Sequence, residues 1–130
     1  MEFGLSQEQI LLQDSINRYL NDQASLDVVR DIAAGDTDDK TIWSGLAEMG
    51  VAGLMIPEEH GGVGLGSMDA VIVAECLGYH VTPSAFLSSA VIAPSVLLSA
   101  GYTNDLADIA AGTFRVGIAF SEAVGAREKA

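Results

Sequence analysis

The chain has 130 residues, of which 18 are acidic and 6 basic, so its net charge is −12. An acidic surface of this kind repels nucleic acid and anionic lipid, and a single cysteine cannot form an internal disulfide. Hydrophobic residues make up 49% of the chain. This is a high share for so small a domain, and we expect other protein to cover part of its surface.

Two segments bear on targeting and on membrane insertion. The N-terminus, MEFGLSQEQ, lacks the basic and apolar regions of a signal peptide. The longest apolar stretch, 85–100, contains serines and Pro94 and is shorter than the roughly 20 residues that a membrane span needs. We therefore expect a cytoplasmic protein without a membrane span.

The first helix is predicted from its N-terminal cap. Ser6 and Gln9 have the spacing of a capping box, in which each side chain bonds the backbone of the other residue. Leu12, Ile16 and Tyr19 follow at the spacing of one helical face. A helix that begins at this cap and buries that face is expected.

Two shorter helices are predicted next. Residues 25–35 favour a helix that ends at Gly35. Residues 36–50 begin with acidic side chains, which suit a helix N-terminus, and Gly50 would end that helix. Its inward stripe is Ile42, Leu46 and Met49.

A glycine-rich connection follows the third helix. Residues 51–57 are predicted as an extended piece that ends at Pro57. The glycines that follow, at 61, 62, 64 and 66, predict a tight loop that needs positive φ, which we call the glycine loop. Ser67 is predicted to cap a helix that runs through Gly78, with Val73 and Leu77 turned inward.

Two more helices complete the helical part. Ser84–Ala100 is apolar on all sides, which predicts a long helix buried on most of its faces. Thr103 is predicted to cap a short helix to Ala111, and Gly112 would end it.

The periodicity changes at the end of the chain. In FRVGIAFS, residues 114–121, apolar and small or polar side chains alternate, which predicts a half-buried strand over 114–120. A lone strand cannot satisfy its own backbone, so it pairs with another chain or the chain continues; we expect the second. The predicted fold is all-α over residues 1–112, with 113–130 as the first strand of a further β domain.

No catalytic constellation is visible in the residues themselves. The glycine loop lacks the lysine of a P-loop and the third glycine and βαβ context of a dinucleotide-binding fingerprint. Glu58 and Glu59 are adjacent on an extended segment and would point apart. The two histidines, His60 and His80, have no metal-ligand spacing. Cys76 is expected to be a small core residue.

Residues 50–80, GVAGLMIPEEHGGVGLGSMDAVIVAECLGYH, closely resemble the first-domain signature of acyl-CoA dehydrogenases. In that family the pattern G-x-x-G-L-x-[IV]-P-E-E-[YFH]-G-G-x-G runs into a helix that ends in E-x-L-G. The opening helix and the passage NDLADIAAGTFRVGIAFSE, residues 104–122, are also similar to the family. The resemblance covers nearly the whole chain.

The resemblance implies an N-terminal helical bundle, a central β-barrel and a C-terminal bundle, with FAD between the last two. It implies an oxidoreductase that dehydrogenates an acyl-CoA thioester at Cα and Cβ, passes electrons to an electron-transfer flavoprotein and forms homo- or hetero-oligomers. The family's catalytic glutamate lies in the C-terminal domain, so it is expected beyond Ala130. This chain alone would lack the catalytic base.

The resemblance assigns site residues at two places. Ile118 and Phe120 would contact the flavin ring, and the Ser121 hydroxyl would bond it in place of the family's threonine. Ala123 stands where the family has proline, which is a departure from its pattern. The helix 84–100 is similar to the one that lines the acyl pocket, and the expected lining residues are Ser88, Ser89 and Ile92.

Residues 80–101 are more similar to bacterial acyl-CoA dehydrogenases of steroid or side-chain degradation than to the mitochondrial short- and medium-chain type. Some of that group pair with a subunit that lacks the base. Two alternatives therefore stay open: a non-catalytic partner subunit, and a flavin monooxygenase or oxidase on the same fold. A free-standing helical binding module is a further alternative.

Overall fold

A computed structural model of the protein describes residues 4–119. Within that range every regular element is helical. In chain order the elements are α1 (Gln7–Gln23), α2 (Leu26–Ala34), α3 (Lys40–Glu48), a 3₁₀ turn (Glu58–His60), α4 (Ser67–Tyr79), a π-helix (Phe86–Ile92), α5 (Ala93–Ser99) and α6 (Leu106–Ala110). The all-α prediction is confirmed for this part of the chain. None of these helices combines the length and apolar character needed to cross a membrane.

The predicted ends of the first two helices are confirmed. The Ser6 hydroxyl accepts from the Gln9 amide at 3.2 Å, and the Gln9 side chain accepts from the Ser6 amide at 3.0 Å. At α2 the Ser25 hydroxyl accepts from the Val28 amide, and Gly35 ends the helix in the left-handed region at φ 83°. These caps are local in sequence and satisfy orphan backbone groups without help from the rest of the fold.

The core forms where α1 packs along α4 and α3 packs against α1. Ile16 is fully buried there and Leu12 and Tyr19 are partly buried, as predicted. The prediction for α3 is confirmed for Ile42 and Leu46. The other large buried side chains of this cluster are Leu20, Trp43, Val51, Leu54, Val73, Leu77 and Phe86.

Two details of α3 and its exit differ from the prediction. Met49 is 36% exposed, and Trp43 is buried in its place at 2% exposure. Residues 51–57 form successive turns instead of an extended piece, since the Leu54 amide donates to Val51 and the Ile56 amide to Gly53. These turns bury the apolar side chains of a segment too short for a helix.

The glycine loop adopts the tight, positive-φ conformation that was predicted. Gly61 has φ 82° and Gly64 has φ 71°. The cap of α4 was predicted wrongly: Gly66 is the N-cap residue and Ser67 is the first helical residue. The capping group is Asp69, whose carboxylate accepts from the Gly66 amide at 3.0 Å.

The predicted helix 84–100 is divided. Residues Phe86–Ile92 form a π-helix, in which the Ala93 amide donates to the Ser88 carbonyl five residues back. Pro94 follows directly and has no amide proton to continue the earlier register. Most residues of 84–100 are buried or partly buried, as predicted, while Leu87 and Val96 are 61% and 60% exposed.

The last helix begins later than predicted. Leu106 is its first residue, and Thr103 contributes its carbonyl to the Leu106 amide instead of a side-chain cap. Residues 114–119 pair with no strand within 4–119, and Phe120 lies outside the described residues. The strand and the domain boundary at 112/113 therefore stay predictions.

Candidate functional site

A groove of about 560 Å³ lies between the end of α4 and the π-helix. Its lining is mostly apolar, with a few small polar side chains. The lining residues are Ala74, Leu77, Gly78, Val81, Thr82, Pro83, Ser84, Phe86, Leu87 and Ser88. An apolar groove of this size can take an acyl-type chain.

The end of α4 shapes one wall of this groove. The Thr82 amide donates to the Leu77 carbonyl and the Val81 amide to the Gly78 carbonyl, which is the bonding pattern of a Schellman motif. Val81 occupies the left-handed position of that motif at φ 52°. A β-branched residue is rare in this region, so the wall holds local backbone strain.

Thr82 adds a polar feature to the same wall. Its hydroxyl oxygen is buried and is the only such side-chain atom, among residues 4–119, without a hydrogen-bond partner. Val81 and Thr82 were not singled out from the sequence. The signal available was the absence of glycine or asparagine from YHVTP, residues 79–83, since helices commonly end in one of these residues.

The three predicted acyl-pocket residues occupy different positions. Ser88 lines the groove and donates to the Ala85 carbonyl at 3.2 Å. Ser89 is fully buried, and its hydroxyl accepts from the Val116 amide at 3.2 Å. Ile92 is partly buried at the end of the π-helix.

Of the predicted flavin contacts, Ile118 is described and is partly buried, while Phe120 and Ser121 lie outside the described residues. The amides of residues 117–119 donate to no acceptor within 4–119. An apolar side chain on a backbone with free donors suits contact with a flavin ring and pairing with a further strand.

The glycine loop does not offer a phosphate cradle. The Val63, Gly64 and Leu65 amides donate to carbonyls of Gly53, Ile56 and Leu54, at 2.9, 2.9 and 2.8 Å. The remaining amides of residues 60–62 donate to Pro57 and Glu58. Because these donors are already engaged, the loop is a structural connection, as predicted.

No acid/base pair lines the groove. Glu58 and Glu59 are exposed, and His60 lies 3.5 Å from the Glu59 carboxylate on the 3₁₀ turn. None of the groove-lining residues is acidic or basic. Within residues 4–119 no group of three or more potential ligands could hold a metal ion.

A second depression, of about 420 Å³, lies between α1 and α4 and is lined by polar side chains. His80 Nε2 lies 3.3 Å from the Asn17 amide oxygen there. Cys76 is buried at its floor, and burial, helped by the charge of Glu75, raises the pKa of this thiol. A raised pKa disfavours the thiolate, so Cys76 is the core residue that was predicted.

The comparison with known families shows which family this scaffold belongs to. The sequence profile described as "Acyl-CoA dehydrogenase, N-terminal domain" matches residues 6–104. The chain belongs to the acyl-CoA dehydrogenase family. The match spans all of α1 to α5 and therefore both walls of the groove.

Two curated acyl-CoA dehydrogenases are similar to the chain, and both are named Acyl-CoA dehydrogenase IpdE2. The one from Mycolicibacterium smegmatis is 37% identical over 112 residues, which cover 83% of this chain and 35% of the relative. The one from Mycobacterium tuberculosis is 33% identical over 96 residues, covering 72% and 30%. The chain thus spans about a third of the length of these relatives. No solved structure matches it.

Proposed function

We propose that the chain is the N-terminal domain of an FAD-dependent acyl-CoA dehydrogenase that oxidises the Cα–Cβ bond of an acyl-CoA thioester. The observation that carries this proposal is the family match over residues 6–104. The apolar groove beside the π-helix supports it, because an acyl chain needs a water-excluding wall of this kind.

In this proposal the chain binds and orients the substrate but supplies no base. Leu77, Phe86 and Leu87 provide apolar surface for the acyl chain, and Ser88 lies among them. Since no carboxylate lines the groove, the group that removes the α-proton comes from elsewhere in the protein, as the resemblance implies.

Ile118, Phe120 and Ser121 are proposed to hold the flavin, and FAD when bound would supply the hydride acceptor. The predicted strand 114–120 would be the first of a β-barrel domain. The resemblance of residues 80–101 suggests a steroid or side-chain acyl-CoA as substrate. An electron-transfer flavoprotein as acceptor, an oligomeric assembly and a cytoplasmic location belong to the same proposal.

The absorbance spectrum of the whole purified protein tests this function. We expect a bound-flavin band that bleaches when a matching acyl-CoA is added anaerobically from a panel of straight-chain and polycyclic thioesters. A folded protein without flavin would contradict the assignment.

One sequence feature favours a second candidate. Ala123 replaces the proline of the family's flavin-side pattern, which implies altered thioester and CoA contacts at this point and favours a different substrate. The alternatives are a non-catalytic partner in a heteromeric enzyme and a monooxygenase or oxidase on the same fold. A flavin band that no acyl-CoA bleaches would favour them, and bleaching restored by a co-expressed partner would select the first.

A further inference from the structure

The segment that leaves the helical domain is fastened to it by a partly buried ion pair. Arg115 Nη1 lies 2.8 and 2.9 Å from the two carboxylate oxygens of Asp39, which is at the start of α3. The side chains are only 33% and 23% exposed. The guanidinium carbon also lies 5.2 Å from the centre of the Trp43 ring. An ion pair that is sheltered and stacked in this way holds its geometry better than an exposed one.

Two further hydrogen bonds hold the same segment. The Trp43 indole nitrogen donates to the Gly112 carbonyl at 2.9 Å. The Val116 amide donates to the Ser89 hydroxyl at 3.2 Å. Residues 112–116 are therefore fixed at three points, two on α3 and one on the π-helix. We call these contacts the exit clamp.

The exit clamp meets the groove through the π-helix. Phe86, Leu87 and Ser88 line the groove, and Ser89, the next residue, receives the Val116 amide. Ser89 is fully buried, so this bond is shielded from water. The π-helix thus carries both a wall of the groove and a contact to segment 112–116.

We propose that Arg115 and Ser89 are positioning residues: through the exit clamp they set the place of the outgoing segment, and of the residues just after it, relative to the groove. The proposal rests on the proposed function, since Ile118, two residues beyond Val116, is a predicted flavin contact. Neither residue touches the reacting atoms in this arrangement. Misplacement of about 1 Å between two reacting partners can cost on the order of a hundredfold in rate.

The test uses the whole protein and four variants. Arg115→Met removes the charge and keeps the apolar stem. Arg115→Lys keeps the charge but not the planar guanidinium that lies over the Trp43 ring, and Ser89→Ala removes the acceptor. Arg30→Met is the matched control, because its ion pair with Asp27 is exposed. The readouts are hydrogen exchange at the Val116 amide, the flavin spectrum, and kcat and KM for the acyl-CoA that bleaches the wild type.

We expect Val116 to exchange about five- to tenfold faster in Ser89→Ala, as loss of one net hydrogen bond implies. In Arg115→Met and Ser89→Ala we expect kcat to fall about ten- to a hundredfold, with KM changed much less, and the flavin band to shift. Arg115→Lys should retain part of the rate, and Arg30→Met all of it. A merely stabilising contact would leave kcat and the flavin band of the folded protein unchanged.

The outcomes separate the clamp from the function. If the wild type bleaches with an acyl-CoA while Arg115→Met and Ser89→Ala keep its kcat and flavin band, the positioning role is overturned and the function stands. If the wild type has no bleachable flavin, the proposed function and the flavin-side role of the clamp both fail. If Val116 exchanges freely in the wild type, the clamp itself does not hold.

Discussion

Gly45 provides the sharpest test of the packing described above. It lies inside α3, where replacing glycine by alanine normally stabilises a helix by about 1 kcal/mol. Here an added Cβ would overlap the Tyr19 ring, with Cε2 only 2.7 Å away and the hydroxyl closer still. Tyr19 also donates to the Thr41 and Ile42 carbonyls, both at 3.1 Å, and cannot move without losing these contacts.

Overpacking of this kind costs about 1–3 kcal/mol. Since the helix gain of about 1 kcal/mol offsets part of this cost, we expect Gly45→Ala to lower the free energy of unfolding by up to about 2 kcal/mol. Gly78→Ala is the matched control. Gly78 is also helical, but a Cβ there would meet nothing within 4 Å, so this variant should be stabilised by up to about 1 kcal/mol.

Urea unfolding of both variants measures the difference. In a Tyr19→Ala background the obstruction is gone, and Gly45→Ala should then stabilise the protein like Gly78→Ala. If Gly45→Ala is as stabilising as Gly78→Ala when Tyr19 is present, the close approach of α1 and α3 described here is incorrect.

Three further predictions concern other positions. Val81→Gly should raise the melting temperature, because relief of left-handed strain of about 1–2 kcal/mol outweighs the roughly 0.5–1 kcal/mol that the flexibility of glycine costs. A lower melting temperature for this variant would contradict the strained Schellman motif. Asp69→Ala should lower the unfolding free energy by about 0.5–2 kcal/mol in urea titrations, because the Gly66 cap and the bond from Gln9 are lost, whereas Asp27→Ala should change it little. Cys76 should react with iodoacetamide much more slowly in the native than in the urea-unfolded protein at pH 8, because burial raises the pKa of the folded thiol. The same shift means that the free energy of unfolding falls as pH rises above the pKa of the unfolded thiol. A series of thermal melts at increasing pH checks this second expectation.

The caps of α1 and α2 could be predicted from the sequence because their partners lie within four residues. Ser6 with Gln9, and Gly35 after α2, needed no knowledge of the fold. Trp43 could not be predicted in the same way. Its burial depends on Gly112, 69 residues later, which accepts the indole proton. The buried face of α3 therefore includes Trp43 and not Met49, because the partner of Trp43 is distant in the chain.

The groove was harder to predict for a similar reason. A π-helix has the same apolar composition as an α-helix, so residues 84–100 gave no sign of the change in register. Val81 was missed as well, because the left-handed position after a helix usually holds glycine and valine rarely adopts it. For the groove, the sequence indicated residues 84–100 as one wall and Ser88 as a lining residue. The other wall, formed by Val81 and Thr82, could be recognised only in the structure.

The loop 53–66 is the most recognisable part of the chain, and its peptide groups are bonded almost wholly to one another. It also touches α6, since a Cβ on Gly53 would lie 2.9 Å from that of Ala110. The loop therefore acts as a joint between the first four helices and the last. If a mutational scan measured only activity, substitutions of the glycines in this loop would abolish activity and would look like changes to an active site. Scoring soluble, folded protein alongside would show that their loss weakens the packing of α6 on the domain before any chemistry is affected.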